Sequence, residues 1–325
     1  MTTSERTGRV RGFWVTPSIR ARTVGRAYFA VQAGAGLLWW VGVFAVPGVR
    51  EATLGGIEAV PMAIADVPLF VVASAIAASL GPRGAPVAAG TAAIWTLLVT
   101  LGLAVYATIT GSAGWGALLM AAASIGGLGS WMLLVFDRIP ADRVLIGALG
   151  IRTSRSAPPG FQLARTLLQL LAFWLIFLAI LPGAILFFEH RWGLHADFPD
   201  QAGPVGAALL LLASALGLWA AFAMSLNGDG TPLPSATANR LVIAGPYRFV
   251  RNPMALAGIA QAMGVGLLVE SWLVVLYALA GIAYWNELVR PFEEADLEAR
   301  FGDDYARYRA QVRCWVPRVP PTAGN

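Results

Sequence analysis

The sequence predicts an all-α integral membrane protein of about eight transmembrane helices, ending in a C-terminal helical hairpin and an interfacial helix. Three observations carry that prediction. Hydrophobic residues fill 57% of the 325 positions and charged residues only 13%, a balance far more apolar than that of a soluble domain. Apolar runs near the ~20 residues needed to cross hydrocarbon recur along the chain. The basic residues, every one an arginine, fall between those runs in an alternating pattern.

The runs lie at 27–48, 61–80, 86–109, 115–136, 166–188, 204–226, 253–269 and 272–289. The first exceeds the core of a signal peptide and no small-residue cleavage site follows it, so it reads as a retained span. The second is interrupted by Asp66. A carboxylate inside an apolar run calls for a functional reading by default, whereas a helix-end position near the interface would make it harmless; both stay open. In the fourth, Gly126, Gly127, Gly129 and Ser130 supply small residues at helical spacing, which lets helices approach closely. The last two runs are separated only by Glu270-Ser271 and read as a hairpin. All arginines except Arg50 and Arg191 fall in 1–26, 81–85, 137–165, 227–252 and 290–325. This positive-inside asymmetry places both termini in the cytoplasm, and the lysine-free, Ala/Gly/Arg-rich composition points to a bacterial inner membrane.

The first half holds no cluster of functional groups. Its end is a basic connector, 137–165, with Arg138, Arg143, Arg152, Arg155 and Arg165 around the apolar run Val144–Ile151, suited to the inner membrane surface. Ser156-Ala157-Pro158-Pro159-Gly160 reads as a linker. The chain thus divides into 1–160, a four-helix membrane region with no assigned role, and a second domain, 161–325. With no obvious internal repeat, it does not read as a transporter-style duplication. His190 and His195 lie with Glu189 and Asp197 in an outer loop without recognised metal spacing, and read as solvated residues. Cys314 is the sole cysteine, which excludes an intramolecular disulfide.

Chemistry concentrates further on. Asn227-Gly228-Asp229-Gly230-Thr231-Pro232-Leu233-Pro234 reads as an ordered turn. Gly245-Pro246-Tyr247-Arg248-Phe249-Val250-Arg251-Asn252-Pro253-Met254 follows as a rigid polar loop wedged between spans, where an arginine pair beside hydrocarbon reads as gripping a ligand. Asn252 precedes a proline at the first helical position, so it serves equally as N-cap or ligand contact. Glu287, Arg290 and Glu294 share a face if the helix continues through Pro291. If a helix starts there instead, Glu293 and Glu294 sit in its first turn, where carboxylates are favoured without any ligand. Leu297, Phe301, Tyr305 and Tyr308 then trace the apolar and aromatic stripe of an interfacial helix, ringed by Asp296, Glu298, Arg300, Asp303 and Arg307.

Taken in order, Gly-Pro-Tyr-Arg-x-x-Arg-Asn-Pro-Met at 245–254, a two-helix hairpin, Arg290 with Glu293-Glu294, Phe301-Gly302-Asp303-Asp304-Tyr305-x-x-Tyr308 and Val316-Pro317-Arg318 resemble the isoprenylcysteine carboxyl methyltransferase and phospholipid methyltransferase superfamily. The resemblance covers about 227–320. It implies an integral membrane methyltransferase using S-adenosylmethionine, with the cofactor enclosed by C-terminal helices and loops rather than by a Rossmann domain. It also implies cofactor contacts at Gly245, Tyr247, Arg251, Asn252, Pro253, Glu293 and Glu294, with Arg251 and Glu294 in the catalytic role. Two departures matter: many relatives carry His where Asn252 stands and Tyr where Ala255 stands. Their loss removes a titratable group and an aromatic wall, which favours cofactor contact over proton transfer at 252.

Methyl transfer from a sulfonium is an in-line displacement, so the protein must chiefly hold donor and nucleophile about 3–3.5 Å apart. Glu293 or Glu294 can accept hydrogen bonds from ribose hydroxyls or the methionine ammonium, and Arg251 can pair with the methionine carboxylate. No general base is evident. The partners implied are the membrane and a hydrophobic or lipid substrate entering from it, such as an aminophospholipid or an isoprenoid, with no nucleic acid and no metal. Two other readings compete. One is a membrane NADPH-dependent sterol- or enone-type reductase, for which an extra basic cluster is missing; the other is a noncatalytic membrane scaffold or transporter.

Overall fold

The computed structural model describes residues 19–139, 159–228 and 239–317, and among these there is no strand. Seven helical stretches are long and apolar enough to cross a membrane, which makes this an all-α integral membrane protein. The seventh of the eight runs forms a shorter helix, Pro253–Leu268, of 16 residues. At about 1.5 Å per residue it falls short of a ~30 Å hydrocarbon core. Residues 1–18, 140–158, 229–238 and 318–325 lie outside the described residues. So do most of the basic connector 137–165, the Ser156-Ala157-Pro158 part of the linker, most of the turn after Gly228, and Arg318.

The described residues divide into two compact units. The first holds α1 (Ile19–Ala45), α2 (Pro47–Leu54), α3 (Ala59–Ser79), α4 (Ala85–Thr110), α5 (Gly114–Phe136) and the short stretch Phe188–Leu194. Its core is built from small residues that let backbones meet. A Cβ on Gly116 would run into the Thr53 carbonyl, and one on Gly126 into the Tyr28 ring, whereas Gly129 faces open space. The small-residue stripe of α5 is therefore used at Gly126 but not at Gly129.

Asp66 corrects one of the two readings left open. It does not sit at a helix end: α3 runs on past it through a π-helical stretch, Val67–Val72, that also accommodates Pro68. The residue is 2% exposed. Its two oxygens accept from two indoles, Trp40 Nε1 at 2.8 Å and Trp95 Nε1 at 2.7 Å. A lone buried carboxylate would be prohibitive, and two directed donors lower that cost without any cation. Glu189 is a second correction. It is fully buried near the end of a helix rather than solvated in a loop, while His190, His195 and Asp197 are exposed. Among the described residues no three His, Cys, Asp or Glu side chains gather so as to hold a metal ion.

The second unit begins with α6, which runs from Pro159 through a π-helical Leu175–Ile180 to Arg191, and belongs to this unit up to Phe187. It continues with α7 (Ala202–Asn227), a 3-10 turn (Gly245–Arg248), α8 (Pro253–Leu268), α9 (Trp272–Tyr284) and α10 (Arg290–Gln311). Close backbone approach welds α7 to α8: a Cβ on Gly206 would lie 2.7 Å from the Gly264 carbonyl, and one on Gly264 2.8 Å from Leu210 N. Across the same seam Gln261 Nε2 donates to Ser214 Oγ at 2.9 Å. The hairpin predicted at Glu270-Ser271 forms, with Glu270 at φ +52° and Ser271 Oγ accepting from Val274 N at 3.1 Å to cap α9.

The alternative at Pro291 resolves into both of its branches. Helix continues from α9 through a π-helical turn, Trp285–Val289, and α10 starts at Arg290 with Pro291 in its first turn. A wide turn is where a proline, which lacks an N–H and crowds the preceding carbonyl, can be tolerated. Ten of the residues from Arg290 to Arg309 are charged, so the apolar span ends near Val289 and α10 lies beyond it. Gly302, at φ +48° and ψ −122°, breaks α10 and re-aims its last part.

Candidate functional site

The site starts from a glycine. Gly245 opens the 3-10 turn at φ +58°, and a Cβ there would lie 2.9 Å from Ala223 Cβ and 3.1 Å from Trp219 Nε1. Left-handed backbone and lack of space both demand glycine. The turn therefore lies flat on α7, where Tyr247 packs with Ala220, Ala223 and Val242. Burial pushes the Tyr247 hydroxyl well above its usual pKa, and the neighbouring Tyr308 and Glu293 push it the same way. Tyr247 stays protonated at physiological pH and is no base. The Glu293 carboxyl is itself pushed up to about 8 by burial, with the neighbouring Glu294 and Asp296 adding to the shift.

The two arginines of the turn part company. Arg248 is exposed and Arg251 is folded inward. Its Nη1 lies 3.0 Å from Glu294 Oε1, with side chains 14% and 23% exposed. The same Nη1 donates to Tyr305 Oη at 3.3 Å. Arg290 Nε approaches the same Glu294 oxygen at 3.9 Å, one helical turn earlier on α10. Two guanidinium groups thus share one carboxylate, and the buried Nε of each has no hydrogen-bond partner. Buried donors left open in this way are unusual, and a ligand acceptor is one thing that would satisfy them.

Asn252 occupies the N-cap position of α8, ahead of Pro253, but its side chain makes no cap bond. Its Nδ2 reaches Cys314 Sγ at 3.7 Å instead. The reason is the tail: after α10 the chain returns along the turn, Arg251 N donating to the Arg313 carbonyl at 3.0 Å and Asn252 N to the Cys314 carbonyl at 3.4 Å. Tyr308 Oη donates to the Tyr247 carbonyl at 2.7 Å. Of the residues named from sequence, Gly245, Tyr247, Arg251, Asn252 and Pro253 line one short turn, and Glu294 meets it directly. Tyr305 and Tyr308 were missed as site neighbours. They belong to the stripe that reads as the packing face of an interfacial helix, and they are buried against Val312, Leu241, Leu297 and Phe301.

The turn, the hairpin and the acidic start of α10 form one continuous stretch of chain. Residues 203–304 match the family model for phospholipid methyltransferase. The C-terminal part of this chain carries a phospholipid methyltransferase family domain. The match runs from the start of α7 to just past the Gly302 break, and so takes in Arg251, Glu293 and Glu294 but ends before Tyr305. A comparison with curated proteins returned no match. The family domain implies a membrane methyltransferase, and all its charged site groups lie at one end of the α8–α9 hairpin.

Proposed function

We propose that the protein is an integral membrane methyltransferase that uses S-adenosylmethionine and acts on a lipid or other hydrophobic small acceptor reached from the bilayer. One observation carries the reading: Arg251 and Glu294, opposite in charge and 3.0 Å apart, join the turn before α8 to the first turn of α10. A zwitterionic amino-acid tail needs one cation for its carboxylate and one carboxylate for its ammonium, and this pair presents both. The open Nε donor of Arg251 fits the same group. When bound, the cofactor supplies an electrophilic methyl group.

The residues then have separate tasks. Arg251 takes the carboxylate; Glu294, with Glu293, accepts from the ammonium or from ribose hydroxyls. Gly245, Tyr247, Asn252 and Pro253 hold the turn that presents them. No general base is evident among these residues, and the work asked of them is orientation and exclusion of water. In this reading 161–325 is the methyltransferase domain, 1–160 a membrane region that accompanies it, and both termini face the cytoplasm of a bacterial cell.

The test is methyl transfer in proteoliposomes. Protein reconstituted with membrane lipids and given methyl-labelled S-adenosylmethionine is expected to move label into the lipid-soluble fraction, and to stop doing so as Arg251→Ala or Glu294→Gln. Absence of labelling together with saturable NADPH binding would replace this reading with the reductase; binding of neither would leave a scaffold or transporter.

A further inference from the structure

Arg251 sits on a turn, and a long side chain on a turn is free to swing unless something fixes it. Glu294 cannot do so throughout. If Glu294 accepts from a ligand ammonium, as the proposed function requires, its hold on Arg251 weakens at the moment Arg251 is needed. The other partner is Tyr305, which is neutral, 2% exposed, and locked in a cluster with Tyr308 and Val312. Its hydroxyl accepts from Arg251 Nη1 at 3.3 Å, and the buried Arg251 Nε has no hydrogen-bond partner.

We propose that Tyr305 is a positioning residue: it keeps the Arg251 guanidinium aimed at the carboxylate of the bound ligand without spending its charge. This rests on the proposed cofactor reading. A neutral acceptor suits the task, because a second carboxylate there would cancel the charge that has to recognise an anion. Three features put the hydroxyl where it is. Gly302, at φ +48° and ψ −122°, turns the last part of α10 back toward the turn before α8. Tyr308 Oη then anchors one end of that turn at the Tyr247 carbonyl, 2.7 Å away. Backbone bonds from Arg251 N and Asn252 N to the Arg313 and Cys314 carbonyls anchor the other. Tyr305 lies one helical turn before Tyr308 on the same part of α10 and touches the Arg251 side chain.

The test compares two probes that share an adenosine thioether but differ in the amino-acid tail: S-adenosylhomocysteine, which has the carboxylate, and 5′-methylthioadenosine, which lacks it. Binding is measured by calorimetry on the full chain in detergent, for wild type, Tyr305→Phe and Tyr308→Phe. Phe keeps the buried ring, and thermal unfolding confirms that each variant is folded. Tyr305→Phe is expected to weaken S-adenosylhomocysteine by about tenfold, the effect of one hydrogen bond to a charged group, and to leave 5′-methylthioadenosine within about twofold, since no carboxylate is read there. Tyr308→Phe, acting on the backbone, is expected to shift both probes together. If Tyr305→Phe weakens both probes equally, or neither, the positioning role is overturned while the cofactor reading stands. If wild type binds neither probe, the cofactor reading and this inference fall together.

Discussion

Asp66 in one unit is a buried carboxylate and Glu294 in the other a half-buried one, and the two are treated in opposite ways. In the N-terminal unit Asp66 has one indole on each oxygen, from Trp40 and Trp95. In the C-terminal unit Glu294 is shared by Arg251 and Arg290, and the Arg251 Nε is left without a hydrogen-bond partner. The first arrangement is closed, with short bonds to neutral donors that have nowhere else to go. The second is open, with charge in excess and a donor in reserve. A closed contact is what a structural residue requires, and an open one is what a ligand site requires.

The comparison can be broken at Asp66. Asp66→Ala leaves two buried indole N–H groups unpaired and is expected to destabilise the protein by about 2–5 kcal/mol, read as a lowered detergent unfolding temperature. S-adenosylhomocysteine affinity of the folded fraction should be unchanged; a normal unfolding temperature with abolished methyl transfer would instead make Asp66 a working residue. Arg251→Ala sharpens the other side. It should weaken S-adenosylhomocysteine by about 10–100-fold while the protein still purifies as a monodisperse species, and undiminished affinity would remove Arg251 from the site. Glu294→Gln keeps the shape and removes the charge, so a loss near tenfold is expected. If Glu294 served only the helix dipole, the change would cost a fraction of about 1 kcal/mol in stability and nothing in binding. At the bottom of the scale stands the exposed Arg307–Asp304 pair on the same helix, each side chain 70% exposed. Asp304→Asn should alter neither stability nor binding measurably.

Much of the site was legible because it is local. Gly245 through Pro253 lie within one short turn, and the spacing of Arg290 and Glu294 already places them on one helix face. What escaped reading was set by residues far apart in the chain. Asp66 finds its indoles 26 and 29 positions away, which no periodicity can announce. Asn252 looks like a cap from its neighbours but turns to Cys314, 62 positions on. Tyr305 and Tyr308 have the spacing of a packing stripe, but that one of them meets Arg251 and the other the Tyr247 carbonyl, 54 and 61 positions away, is beyond local spacing. Glu189 reads as solvated because it adjoins His190 and Arg191, yet its own side chain is fully buried.

Hydrophobic runs and backbone chemistry are properties of neighbouring residues, so the linear chain was enough to specify a helical membrane protein and the hairpin, and to single out the Gly245 turn and the adjacent glutamates Glu293 and Glu294. Which of those glutamates meets Arg251, which arginine of the turn faces inward, and which tyrosine steadies it were decided only when the tail folded back. Charge and hydrogen-bond partnership depend on distances of a few ångströms between segments separated by dozens of residues, and those distances exist only in three dimensions.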